Sequence, residues 1–110
     1  MLLSEAIREG SKLKGDIPIS MRGDFYTRDM KCSCPIASAY DVLVTPLTDY
    51  SKVVGLVTAV EHVCPALNNK LNNPVREDNK RTVYSLIMEL YDDHKWSKQQ
   101  IIEWLEGEGL

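Results

Sequence analysis

Leu3, Ala6, Ile7 and Leu13 fall on one helical face, with Ser4 as an N-cap and Gly15 after the last turn. This spacing predicts a helix over 4–14. Residues 15–31 carry Gly15, Pro18, Gly23 and scattered charges and read as a loop, with a short extended piece around Ile17–Met21. Pro35 suits the first position of a second helix, capped by Cys34 or Ser33 and running to Leu43 before Thr45-Pro46 ends it. Its expected buried stripe is Ile36, Ala39, Tyr40 and Leu43. A third segment, Asp49 to Val63, places Tyr50, Val53, Val54, Val57 and Val60 at helical spacing. Its valines also suit a strand, but its length favours a helix.

Residues 68–81 are polar and asparagine-rich, with Pro74 inside, and read as the longest loop. Val83, Leu86, Ile87 and Leu90 then recur at i, i+3, i+4 and i+7, predicting an amphipathic helix over 80–92. Ser97 and Gln100 form a capping box, and Trp96 and Ile101 occupy the positions of a hydrophobic staple. The last helix is expected to reach Glu106, with Gly107 as a left-handed cap. So short a connection predicts an αα-hairpin over 80–107, with Ile101, Trp104 and Leu105 facing the preceding helix. The expectation is a mainly α protein: one domain over 1–110, a small bundle of about five helices ending in that hairpin.

Three stretches carry a resemblance. They are Ser4-Glu5-Ala6-Ile7-Arg8-Glu9-Gly10, Ser33-Cys34-Pro35-Ile36-Ala37-Ser38-Ala39-Tyr40, and the run from Trp96 to Glu106. Together they resemble a group of small bacterial and phage proteins with a Ser-Cys helix start and a closing Trp-Ser/Thr-x-x-x-Ile-x-x-Trp helix. The resemblance implies a helical domain from a phage or bacterial genome and no particular activity. Pro35 and Ser38 stand where that group has small residues, and Cys32 and Cys64 lie outside its pattern.

Composition narrows the function classes. The chain has 110 residues, 44% of them apolar, and a net charge of -3. A single domain of this size buries a core without staples. The acidic balance gives no uniform field to hold a phosphate backbone, so nucleic acid is not the expected partner. No segment reaches the length of a membrane span. Glu5 follows the short apolar start at once, which argues against a signal peptide. Three cysteines do not suit a disulfide framework, so the expected location is a reducing cytoplasm.

Candidate chemistry is sparse. Cys32, Cys34, His62 and Cys64 are a legitimate tetrahedral zinc set by residue type, but both pairs have a one-residue spacer where structural sites usually have two or more. The expectation is that no metal or other cofactor is held and that the thiols pack. Cys34 at a helix start could be an activated thiol, though neither His62 nor His94 is placed beside it as a base. Read as a helix-turn-helix, the terminal hairpin offers Lys98 to DNA but also Glu103 and Glu106; Lys70, Arg76, Lys80 and Arg81 lie elsewhere. Arg22-Gly23-Asp24 reads as a turn. Asp92, Asp93, Glu103 and Glu106 could instead form an acidic docking face for a host or phage protein. Paired catalytic carboxylates, phosphate-cradling glycine loops and nucleotide fingerprints are missing. The leading expectation is a non-catalytic protein–protein interaction module, a phage or prophage accessory protein. A zinc-stabilised domain and a DNA-contacting regulator are the alternatives.

Overall fold

In the computed structural model, which describes residues 1–76 and 79–110, the chain is mainly α-helical. Five α-helices occur among the described residues: α1 (Leu3–Gly10), α2 (Pro35–Leu43), α3 (Leu56–Val63), α4 (Val83–Met88) and α5 (Lys98–Gly107). Two short ladders accompany them. β1 (Gly15–Asp16) pairs in parallel with β2 (Cys32–Ser33), and β3 (Lys70–Leu71) pairs antiparallel with β4 (Arg81–Thr82).

α2 is the centre of the molecule, packed on α1 at one flank and on α3 at the other. Its start follows from its sequence. Pro35 takes the first helical position, where a missing N–H costs nothing, and Cys34 caps it, with the Ala37 N–H donating to Cys34 Sγ at 3.4 Å. Ile36, Ala37, Ser38, Ala39 and Asp41 are buried, whereas Tyr40 and Leu43 of the expected stripe are half-buried, because neighbours cover the start of this helix more fully than its end. Gly10 explains how closely α1 approaches. A Cβ there would lie 2.0 Å from the Ser38 carbonyl oxygen, so only glycine allows this contact.

Several boundaries differ from expectation. α1 begins at Leu3, so Ser4 lies inside it, its hydroxyl buried and without a hydrogen-bond partner. The Ser4 N–H donates instead to the Leu110 carbonyl at 3.0 Å. The helix stops at Gly10 rather than near residue 14, and residues 11–13 form turns. The third segment is broken: a 3-10 turn covers Tyr50–Lys52, Gly55 at φ 66 caps α3, and helix follows only from Leu56. Its buried residues are Leu56 and Val60, while Val54, grouped with Val60 by the helical spacing, is 85% exposed. The loop over 68–81 contains β3 and the start of β4; Glu77 and Asp78 lie outside the described residues.

α4 starts at Val83 with Thr82 as its cap and continues as wide π turns over Glu89–Asp93. Lys95, at φ 62, then reverses the chain. α5 opens as expected. Ser97 Oγ accepts from the Gln100 N–H at 3.1 Å, and Gln100 Oε1 accepts from the Ser97 N–H at 2.8 Å. The expected partner of α5 needs correction: it lies mainly against α1, touching the preceding segment only near the connection. Ile101, Ile102 and Leu105 are buried and Trp104 is half-buried against the core. Gly107 remains helical, and the left-handed residue is Gly109 at φ 76.

Candidate functional site

The four residues of the zinc set are not brought together. Cys32 is half-buried on β2, Cys34 is buried at the start of α2, Cys64 is buried at the end of α3, and His62 is exposed on the last turn of α3. Among the described residues no group of three or more His, Cys, Asp and Glu side chains converges in a way that could hold a metal. Cys34 is also not an activated thiol. Burial pushes its pKa up to about 12, and the opposing hydrogen bonds from the amides at the start of α2 do not offset it.

The densest polar chemistry lies where α5 meets β1 and β2, and it centres on a residue that the sequence offered only to DNA. Lys98 is 3% exposed. Its Nζ donates to the carbonyls of Lys14 at 3.0 Å and Gly15 at 2.9 Å and to Ser33 Oγ at 2.9 Å. Ser33 Oγ lies 3.0 Å from Ser38 Oγ. Burial lowers the Lys98 pKa to about 8, with nearby Asp16 acting in the opposite direction. A lysine of lowered pKa beside a serine hydroxyl is a base–nucleophile pair in outline. Here Ser33 and Ser38 are fully buried and all three ammonium protons are donated, so the cluster binds segments of the fold to one another. Asp16 extends it, accepting from the Lys98 N–H at 3.2 Å and from the Tyr91 hydroxyl at 2.9 Å. Arg22, from the tripeptide read as a turn, folds inward over the Tyr91 ring and donates to the carbonyls of Ile17, Tyr91 and Trp96.

Asp41 forms a second buried knot. It pairs with Lys14 at 2.7 Å and accepts from the Tyr26 hydroxyl at 2.7 Å and the Leu47 N–H at 3.0 Å. Burial and the Asp41 carboxylate together raise the Tyr26 pKa. A third group gathers Arg76, Arg81, Asn73 and His94 on Glu89. Burial alone would raise Glu89, but the Asn73 hydrogen bond and these cations hold it below the usual carboxylate range. Two of the four basic residues weighed for DNA contact are thereby engaged within the protein.

The acidic residues expected to form a docking face divide in their contacts. Glu106 pairs with Arg8 at 2.6 Å, and Glu103 accepts from Gln99 at 3.2 Å. Asp93 is exposed, and the half-buried Asp92 is raised in pKa by burial and by neighbouring Asp93.

One surface feature has no polar explanation. Between the end of α2 and the outer side of α3 lies an open depression of about 580 Å³, lined by Val44, Gly55, Thr58, Ala59, His62 and Val63. Val44 is 42% and Val63 49% exposed, and Val54, next in sequence to Gly55, is also exposed. α3 is thus apolar on two sides: Leu56 and Val60 face the core, while Ala59 and Val63 face outward. The sequence showed many valines here, at helical spacing, but did not mark which of them face outward. No helix among the described residues is long and apolar enough to cross a membrane. No family model, curated protein or solved structure matches this chain.

Proposed function

We propose that this protein is a non-catalytic interaction module that binds another protein through the outer face of α3. The resemblance to small phage and bacterial proteins supports reading it as an accessory protein of such a genome. The observation that supports this reading is the apolar depression lined by Val44, Ala59 and Val63, with Val54 also exposed. Apolar residues scattered singly need no explanation, whereas Val44, Ala59 and Val63 line one depression.

The test is affinity capture from a bacterial host with the protein and its A59K/V63K variant in parallel, the fold of both checked by circular dichroism. A bound protein retained by the first and lost by the second is the expected result. Identical capture by both would remove the α3 face from the reading and return attention to Asp92, Asp93, Glu103 and Glu106.

A further inference from the structure

We infer that Arg22 is a conformational clasp on the connection between α4 and α5. Docked, it holds Glu89–Asp93 in π turns; released, it lets that segment continue α4 as an α-helix and frees the reversal at Lys95. The first argument is what the segment's own sequence asks for. Glu89-Leu90-Tyr91-Asp92-Asp93 contains neither glycine nor proline, and α4 runs directly into it. π turns are rare and bond residues five apart, here the His94 N–H to the Glu89 carbonyl at 3.1 Å. The local sequence suits a continued α-helix at least as well, so the wider geometry is imposed by what packs on it.

What packs on it is Arg22. Its guanidinium lies 3.8 Å from the centroid of the Tyr91 ring. Nη1 donates to the Tyr91 carbonyl at 2.8 Å and to the Trp96 carbonyl at 2.6 Å. The first of these lies in the last turn of the helical run, where carbonyls lack partners within the helix and a cation is favoured. The second lies beyond the reversal, so one nitrogen joins its two sides. The Leu90 carbonyl is the atom that changes partner. In the π form it accepts from the Trp96 N–H at 3.0 Å, which ties the start of α5 back to the segment. In a continued α-helix it would accept from the His94 N–H instead.

Arg22 is also placed where it can let go. Ile19–Met21 carries no buried residue, and Ile19 and Met21 are 55% and 58% exposed. Gly23, at φ 132, follows. Displacing residues 19–22 therefore withdraws the clasp without opening the core around Ile17, which is 1% exposed.

The test is amide hydrogen exchange and nuclear Overhauser contacts on the protein, R22A and Y91F. In R22A the Trp96 amide should exchange at least about tenfold faster, while Ile87 and Leu105 keep their protection. The contact from residue 89 to the His94 amide should give way to one from residue 90. Y91F keeps the ring and both carbonyls and should retain the pattern of the unaltered protein. Unchanged exchange at Trp96 in R22A overturns the inference. So does equal acceleration at Ile87 and Leu105, which would make Arg22 a plain contributor to global stability. Y91F reproducing R22A would place the control in the hydroxyl and overturn it as well. Should R22A not fold, R22K carries the test: it keeps the charge without the planar fork, and it should show the same selective change at Trp96 to a smaller degree. An R22K protein with no selective change at Trp96 would then overturn the inference.

Discussion

The two flanks of α2 differ in kind. Toward α1 and α5 the packing is close and chemically specific. The Gly10 backbone presses on the Ser38 carbonyl, Asp41 is buried with Lys14 and Tyr26, and Lys98 joins β1 and β2 through Ser33. Toward α3 the contact rests on an eight-residue helix with two buried residues, Leu56 and Val60, and its outer side stays apolar and uncovered. The polar groups of the first flank are used inside the fold, where each satisfied buried group fixes one arrangement. On the second flank Leu56 and Val60 serve the core, while Val44, Val54 and Val63 stay exposed. The contrast separates a scaffold from a surface, and the chemistry that looks most reactive in outline belongs to the scaffold.

The strongest way to break this comparison is Gly10→Ala. A methyl group 2.0 Å from a backbone oxygen cannot be absorbed by a side-chain rotation, so α1 must move away from α2. The expected loss is at least about 3 kcal/mol, the upper end for overpacking. Urea denaturation measures it. A loss below about 1 kcal/mol would show that the flank yields more easily than its geometry implies.

Lys98→Met comes next. It removes the shared donor from two carbonyls and Ser33 Oγ, with an expected cost of about 2 kcal/mol, offset in part because a buried charge is removed as well. The pH dependence sharpens the test. Folding lowers the Lys98 pKa from 10.5 to about 8, so between these values the unfolded chain binds more protons than the folded one. By linkage, Lys98 then makes stability rise with pH across that window. The stability difference between the protein and K98M should therefore shift in favour of the protein from pH 8 to 10. Cys34, which folding raises from 9.0 to about 12, acts in the opposite direction in both proteins, and its charge coupling to Lys98 is lost in K98M. A flat difference would mean that the three hydrogen bonds hold the ammonium charged.

What the sequence revealed of these flanks follows from how local each signal is. The starts of α2 and α5 were legible because Pro35 and the Ser97–Gln100 pair act within one helical turn. The Lys98–Ser33 contact joins residues 65 apart in the chain, and a lysine at the first position of a helix gives no sign of burial. Gly10 was visible only as one residue of a resembling stretch, since a close approach depends on a helix that is distant in sequence. The end of the α4 segment near residue 92 was legible, although its left-handed residue, Lys95, is not a glycine. α3 was misread for a further reason. Apolar residues occur on more than one side of it, so periodicity did not say which side faces the core, and the left-handed turn at Gly55 breaks the helix there.

The smallest expected effect bears on the surface itself. Val54→Thr combined with Val63→Thr replaces two exposed apolar side chains by near-isosteric polar ones. Val54 is 85% exposed and Val63 49%, so little buried apolar area is lost. Val63 ends α3, where helix propensity counts least, and Val54 precedes the helix. The expected change in stability is within about 0.5 kcal/mol, the range of ordinary surface substitutions. The apolar character of the face nevertheless falls, so capture of a partner should weaken while the urea midpoint stays in place. That dissociation is what a surface free of structural duty requires. A loss of about 2 kcal/mol instead would mean that both valines support the packing of α3, since burial of a valine is worth about that much. The face would then be part of the core's edge, and the division between scaffold and surface would fall.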